Sequence, residues 1–225
     1  MKKQADYHFV NLYHPQRLKW TVALLVLIIP FFINDFYFFY FENNPALVAL
    51  LDNIQRVLIL FFCYVLFGRS GLRLSSSLAP KEKRDKILDC FVFPLLIAIV
   101  FVIFNFTFIF FSPTEWIEGF RFTRISNPFY RWLDLTLGLA LVAISEELIF
   151  RRHVYSYFAS LIKIDFIANI IQAVLFGLMH WGSGVSSVIC GFVFGLIAGV
   201  FYDQKKYLLP VIILHFLVNF IIYTK

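Results

Sequence analysis

The sequence predicts an all-α protein, a polytopic bundle of about seven transmembrane helices forming a single integral membrane domain over 1–225. Three observations carry this. Of 225 residues, 60% are apolar or aromatic, 15% are charged and 30 are Phe, and mean hydropathy is +0.78. A soluble domain carries about a quarter charged residues, so this chain lacks the polar groups to cover a water-facing surface. Apolar runs recur at the length of about 20 residues that a hydrocarbon core about 30 Å thick requires. Lys and Arg alternate in density between successive loops. The same composition excludes a disordered chain, a collagen-like repeat and a basic nucleic-acid-binding domain. The net charge of +6 fits basic loops at an anionic membrane face.

The runs follow in order. Trp20–Tyr40 is the first. Lys2 and Lys3 resemble the start of a signal peptide, but the apolar run begins far downstream and no small-x-small cleavage site follows, so it reads as a retained span. The second, Ala46–Phe67, carries Asp52, Asn53, Gln55 and Arg56 in its first half. It is either tilted or lines the bundle with a polar face. Ser75–Lys86 reads as a solvated cytoplasmic linker before the third run, Ile87–Phe111. Pro113–Pro128 reads as an outer loop with a short interfacial helix around Trp116 to Phe120. Four more runs follow: Trp132–Phe150 or longer, Phe166–Trp181, Val185–Tyr202 and Tyr207–Tyr223. With the N-terminus cytoplasmic, the inner segments hold 15 Lys and Arg and the outer ones 4. This is the bias of the positive-inside rule.

Small residues and cysteines read as packing. Gly191, Gly195 and Gly199, with Ser187 before them, form a ridge on the sixth span that lets another helix approach closely. Cys63, Cys90 and Cys190 lie apart in apolar surroundings, with no metal-ligand spacing, and read as small hydrophobes.

Ionisable residues inside apolar spans are costly and mark candidate sites. Three clusters stand out. In AISEELIFRR, Glu147 and Arg151 are four apart and share a helix face. Glu146 points about 100° away, without a local partner, as a general base would. Capping of the span at the interface is the plainer reading. The second cluster ends in His180, four residues after Phe176. A helical hairpin centred on Lys163 brings residues 146 and 180 level, provided the fourth span continues past Arg151 and Arg152. The third pairs His215 and Asn219 on one face of the last span. They serve either interhelical hydrogen bonding or donation to an oxyanion.

The inventory fits water activation by Glu146 and His180, with His215 and Asn219 stabilising a tetrahedral oxyanion. That is peptide hydrolysis without a covalent intermediate. The same carboxylates and histidines match the preferences of a divalent metal such as zinc, but there is no HExxH, and no cofactor is expected.

The ordered set EExxxR (Glu146, Glu147, Arg151), FxxxH (Phe176, His180) and HxxxN (His215, Asn219) resembles the CPBP family of intramembrane proteases. That family includes CAAX prenyl endopeptidases of the Rce1 type and bacterial Abi proteins. The resemblance implies a metal-independent glutamic endopeptidase. Glu146 would be the base, assisted by His180. His215 and Asn219 would form the oxyanion hole, and Glu147, Arg151 and Phe176 would support the site. It divides the chain into N-terminal spans and loops, 1–131, and a catalytic core, 132–225. The implied partners are the lipid bilayer and a membrane-anchored or lipidated protein or peptide, not nucleic acid. The implied location is a prokaryotic cytoplasmic membrane. The alternative is a non-catalytic membrane binding or bacteriocin self-immunity protein of the same fold.

Overall fold

A computed structural model describes residues 17–41, 43–74, 88–117, 125–205 and 207–224. Among these residues every regular element is a helix. Helix α1 (Arg17–Ile33) is followed after Asn34 by α2 (Asp35–Phe41). Helix α3 (Pro45–Gly71) starts where the Asn44 side chain accepts the Leu47 N–H at 3.1 Å and Pro45 occupies the first turn. Near its end the helix breaks at Gly68, whose φ of 62° suits only a residue without Cβ. Helix α4 (Phe93–Phe111) is entered through a π-helical turn at Leu88–Val92. The interfacial helix expected around 116–120 is a single turn, α5 (Thr114–Ile117); residues 118–124 lie outside the described residues. So do the 75–86 linker and the lysines at 2 and 3.

The fourth expected span is much longer than Trp132–Phe150. Three α-helical stretches, α6 (Pro128–Leu133), α7 (Leu139–Glu147) and α8 (Tyr155–Ile162), are joined by π-helical turns at Asp134–Gly138 and Leu148–Val154. Every junction residue keeps right-handed helical angles, so the three form one rod. It stops at Lys163, whose left-handed conformation (φ 59°, ψ 22°) reverses the chain into α9 (Asp165–Leu178). The hairpin thus turns at Lys163, as the sequence predicts. Helix α9 ends before Trp181, so His180 sits in the turn after the helix and not inside it. Gly184, at φ 90°, leads into α10 (Val185–Lys205), and α11 (Leu209–Tyr223) completes the described chain.

Each of the seven apolar runs is mostly helical over its described residues. Among the described residues, four stretches are long and apolar enough to cross a membrane: Lys19–Tyr37, Pro45–Gly71, Cys90–Phe111 and Val185–Gln204. Helices α9 and α11 are apolar but shorter, and the rod is divided by its π-helical turns.

Helices α9 and α10 pack as the small-residue ridge predicts. A Cβ on Gly195 would stand 2.9 Å from the Ala173 Cα, and one on Gly191 would stand 3.0 Å from His180 Nδ1. This close approach lets Gln172 donate to the Gly195 carbonyl at 2.8 Å and Asn169 to the Leu196 carbonyl at 3.2 Å. All three cysteines are buried and none forms a disulfide, and Cys63 Sγ also lies 3.3 Å from His153 Nε2.

The rod runs through the centre of the bundle. From Ser145 to Tyr155 every residue is buried. A regular helix would spread Arg151, Arg152 and His153 around its axis. Here all three face protein because the rod is surrounded. Arg152 donates to the Ser70 carbonyl at 2.9 Å and to that of Arg73, and His153 Nε2 lies 3.2 Å from the Gly71 carbonyl. These side chains supply donors to the C-terminal carbonyls that α3 cannot satisfy internally.

Candidate active site

The rod, α3 and α11 converge on two adjacent carboxylates. Glu147 and Arg151 form the ion pair expected from their spacing, Nε to Oε2 at 2.9 Å, both fully buried. The guanidinium lies over the Phe176 ring, 4.1 Å from its centroid, and 5.7 Å from that of Phe194. Aromatic faces and one carboxylate therefore accommodate a fully buried cation. The other Glu147 oxygen, Oε1, contacts His215 Nδ1 at 2.7 Å. With Nδ1–H donated to Glu147, Nε2 is the ring atom left for the site, 3.8 Å from Glu146 Oε2. The His215 ring packs on Phe194 at 4.9 Å and Phe176 at 5.8 Å between centroids.

Glu146 has a partner that its own helix does not supply. Arg56 of α3 donates NH1 to Glu146 Oε1 at 2.7 Å and Nε to Asp52 at 3.0 Å. Arg56 also stacks over Phe31, 4.8 Å from the ring centroid. Glu146 Oε2 is buried and has no hydrogen-bond partner among the described residues. It is the oxygen that a water molecule would take as acceptor.

His180 reaches this centre from the turn after α9. Its Nδ1 donates to the Phe176 carbonyl at 2.9 Å, which frees Nε2. It stands within electrostatic range of Glu146, His215 and Arg56, and among the described residues no hydrogen bond joins it to Glu146. Phe176 packs on both histidines, at 5.3 Å from His180. Asn219 lies one helical turn beyond His215, half-buried, and no hydrogen bond ties it to these groups among the described residues.

The turn carrying His180 is clasped by the N-terminal helices. Trp181 Nε1 donates to the Phe32 carbonyl at 3.0 Å, and Asp35 accepts the Gly182 N–H at 2.7 Å. Gln55 donates to the Pro30 carbonyl at 2.8 Å, fixing the end of α1 to α3.

The structure therefore joins Glu146, Glu147, Arg151, Phe176 and His215 in direct contact, with His180 and Asn219 at the margin. Sequence reasoning did not name Arg56, Asp52, Asp35 or Phe194 as site residues. Arg56 carried a usable signal, a cation inside an apolar run with Asp52 four residues before it. The polar face expected of the second span is this pair. Among the described residues no three His, Cys, Asp or Glu side chains gather as a metal-ligand set.

A helical membrane bundle with carboxylates, imidazoles and guanidinia buried at its centre is built for chemistry or recognition within the membrane. Residues 128–221 match the family described as type II CAAX prenyl endopeptidase, Rce1-like. The match supports a relation of this region to the CPBP, or CAAX protease, family. No curated protein and no solved structure matches the chain.

Proposed function

We propose that the protein is an intramembrane glutamic endopeptidase that hydrolyses a peptide bond of a membrane-associated protein or peptide. The observation that carries this reading is the division of labour between adjacent carboxylates. Glu147 is consumed by Arg151 and His215, while Glu146 keeps one buried oxygen for a water molecule. In this mechanism Glu146 removes the proton from water as the water adds to the carbonyl carbon, and His180 Nε2 orients that water. The oxyanion accepts hydrogen bonds from His215 Nε2–H, in the imidazolium form, and from the Asn219 amide. Glu146 then returns the proton to the leaving nitrogen. Arg56 holds Glu146 in place, and the reaction requires no metal.

Co-expressed membrane proteins, compared by mass spectrometry, test this. Cleavage present with the unaltered protein and insensitive to chelator should fall about 10²–10⁴-fold in Glu146→Gln, and His180→Ala should also impair it. Cleavage retained by both folded variants would sink the proposal. A second reading, peptide binding without chemistry as in an immunity protein, is favoured by one observation. The Arg56 ion pair already occupies one Glu146 oxygen. In that case Glu146→Gln keeps the biological effect.

A further inference from the structure

His180 is carried by a turn that α9 holds from one side. Its N–H bonds back to the Gly177 carbonyl at 3.0 Å, and its ring Nδ1 donates to the Phe176 carbonyl at 2.9 Å. The residue itself has left the helix, at φ −93° and ψ 19°, a sparsely populated backbone region. Beyond it, Ser183 and Gly184 donate within the turn, to the carbonyls of His180 at 3.1 Å and Trp181 at 3.3 Å. The Gly182 N–H is donated out of the turn instead, across to Asp35 Oδ2 at 2.7 Å.

Asp35 is a costly acceptor. It is 8% exposed, at the start of a helix otherwise made of Phe and Tyr, and a carboxylate inside an apolar span marks a function by default. A charged acceptor holds an N–H more firmly than a neutral one. Its own position is fixed from behind. The Asn34 N–H bonds to the Pro30 carbonyl at 3.0 Å, and the same carbonyl accepts Gln55 Nε2 at 2.8 Å. Gln55 precedes Arg56, which donates to Glu146 at 2.7 Å. A path of short contacts therefore runs from Glu146 through Arg56, Gln55 and Pro30 to Asp35, Gly182 and the His180 turn. Its two ends are the pair that acts on water, and its middle lies outside the matched region 128–221. Glu146 and His180 come from different elements, so their separation is set by what holds each of them.

We propose that Asp35 is a positioning residue for His180. Acting through Gly182, and tied by Gln55 to the helix that carries Arg56, it sets the spacing between His180 and Glu146. Its chemical consequence rests on the protease reading. The water taken by Glu146 must also meet His180 Nε2, and an error of about 1 Å in such a spacing costs on the order of a hundredfold in rate.

Placement is read first without proteolysis. The full-length chain, carrying isotope-labelled histidine, is observed by NMR in detergent, and the His180 ring signals are those lost in His180→Ala. Asp35→Ala should shift or broaden these signals and leave those of His215 where they are. Asp35→Asn, which keeps an oxygen acceptor, should leave His180 near its original signal. An unmoved His180 signal in Asp35→Ala overturns the proposal. So does an equal displacement of His215, the mark of general loosening. If Asp35→Ala does not fold, Gln55→Met, which keeps the helix and cuts the bond to Pro30, is judged by the same two criteria.

Cleavage of a membrane protein that the unaltered chain is seen to cut gives the second readout. Asp35→Ala should lower kcat about 10-fold to 100-fold with KM within about twofold, and Asp35→Asn should recover most of the loss. A raised KM with kcat unchanged overturns the proposal. If the unaltered chain cuts nothing while the His180 signals move as expected, the placement stands and it is the protease reading that fails.

Discussion

The C-terminal region, 128–221, and the N-terminal helices α1 to α4 use the same apolar alphabet to different ends. The rod is buried on all sides from Ser145 to Tyr155 and holds three consecutive basic residues there. By contrast α4 is almost uniformly apolar, yet Val100 is 67% exposed and Ile103 61%. A side chain exposed on such a helix meets lipid, which costs nothing for Val or Ile. The difference teaches that hydropathy marks membrane residence in both regions, while burial of charge marks only one as the chemical centre. The N-terminal region contributes braces to that centre: Arg56 on Glu146, Asp35 on Gly182 and the Phe32 carbonyl on Trp181.

Breaking an ion pair inside the rod should have the largest effect on stability. Arg151→Met leaves Glu147 buried beside His215 without its cation and should cost about 3–5 kcal/mol, read as thermal unfolding in detergent. The equivalent change in the brace, Arg56→Leu, should cost less, because Asp52 keeps some exposure. Equal losses would erase the distinction between centre and brace.

Helix contact within the core comes next. Gly195→Ala pushes a methyl against the Ala173 backbone, which cannot rotate away. A destabilisation of about 1–3 kcal/mol is expected from overpacking, measured in the same unfolding assay. A neutral result would mean that α9 and α10 slide apart easily.

The clasp is weaker still. Trp181→Phe keeps an aromatic ring against Phe36 but loses the bond to the Phe32 carbonyl, a change of about 0.5–1.5 kcal/mol. Its sharper readout is cleavage, since the neighbouring residue is His180. The smallest effect belongs to the lipid-facing surface. Val100→Ala should shift stability by no more than about 0.5 kcal/mol; a larger loss would reveal a packing partner on that face.

Much of this was legible in the sequence, because the physics involved is local. Apolar runs long enough to span a bilayer become helices, since lipid offers backbone groups no other partner. The four-residue spacing of Glu147 and Arg151 makes an ion pair wherever the helix continues, and the ridge of Gly191, Gly195 and Gly199 needs only a facing helix to become a contact. Even the hairpin at Lys163 follows from chain reversal between two apolar runs. The helix boundaries were less legible. Nothing in the composition announced that π-helical turns would carry the fourth helix from Pro128 to Ile162, or that α9 would stop before His180.

Tertiary structure alone decided the partners across the bundle. Arg56 and Glu146 are ninety residues apart and meet because α3 packs beside the rod. His215 takes Glu147 by direct contact and stands 3.8 Å from Glu146 because α11 presents its ring at that level. Spacing along one helix predicts which side chains share a face. It carries no information about which face of another helix will meet them. In a nearly uniform apolar sequence that choice rests on a few buried charges finding one another, where each left unpaired would cost several kcal/mol.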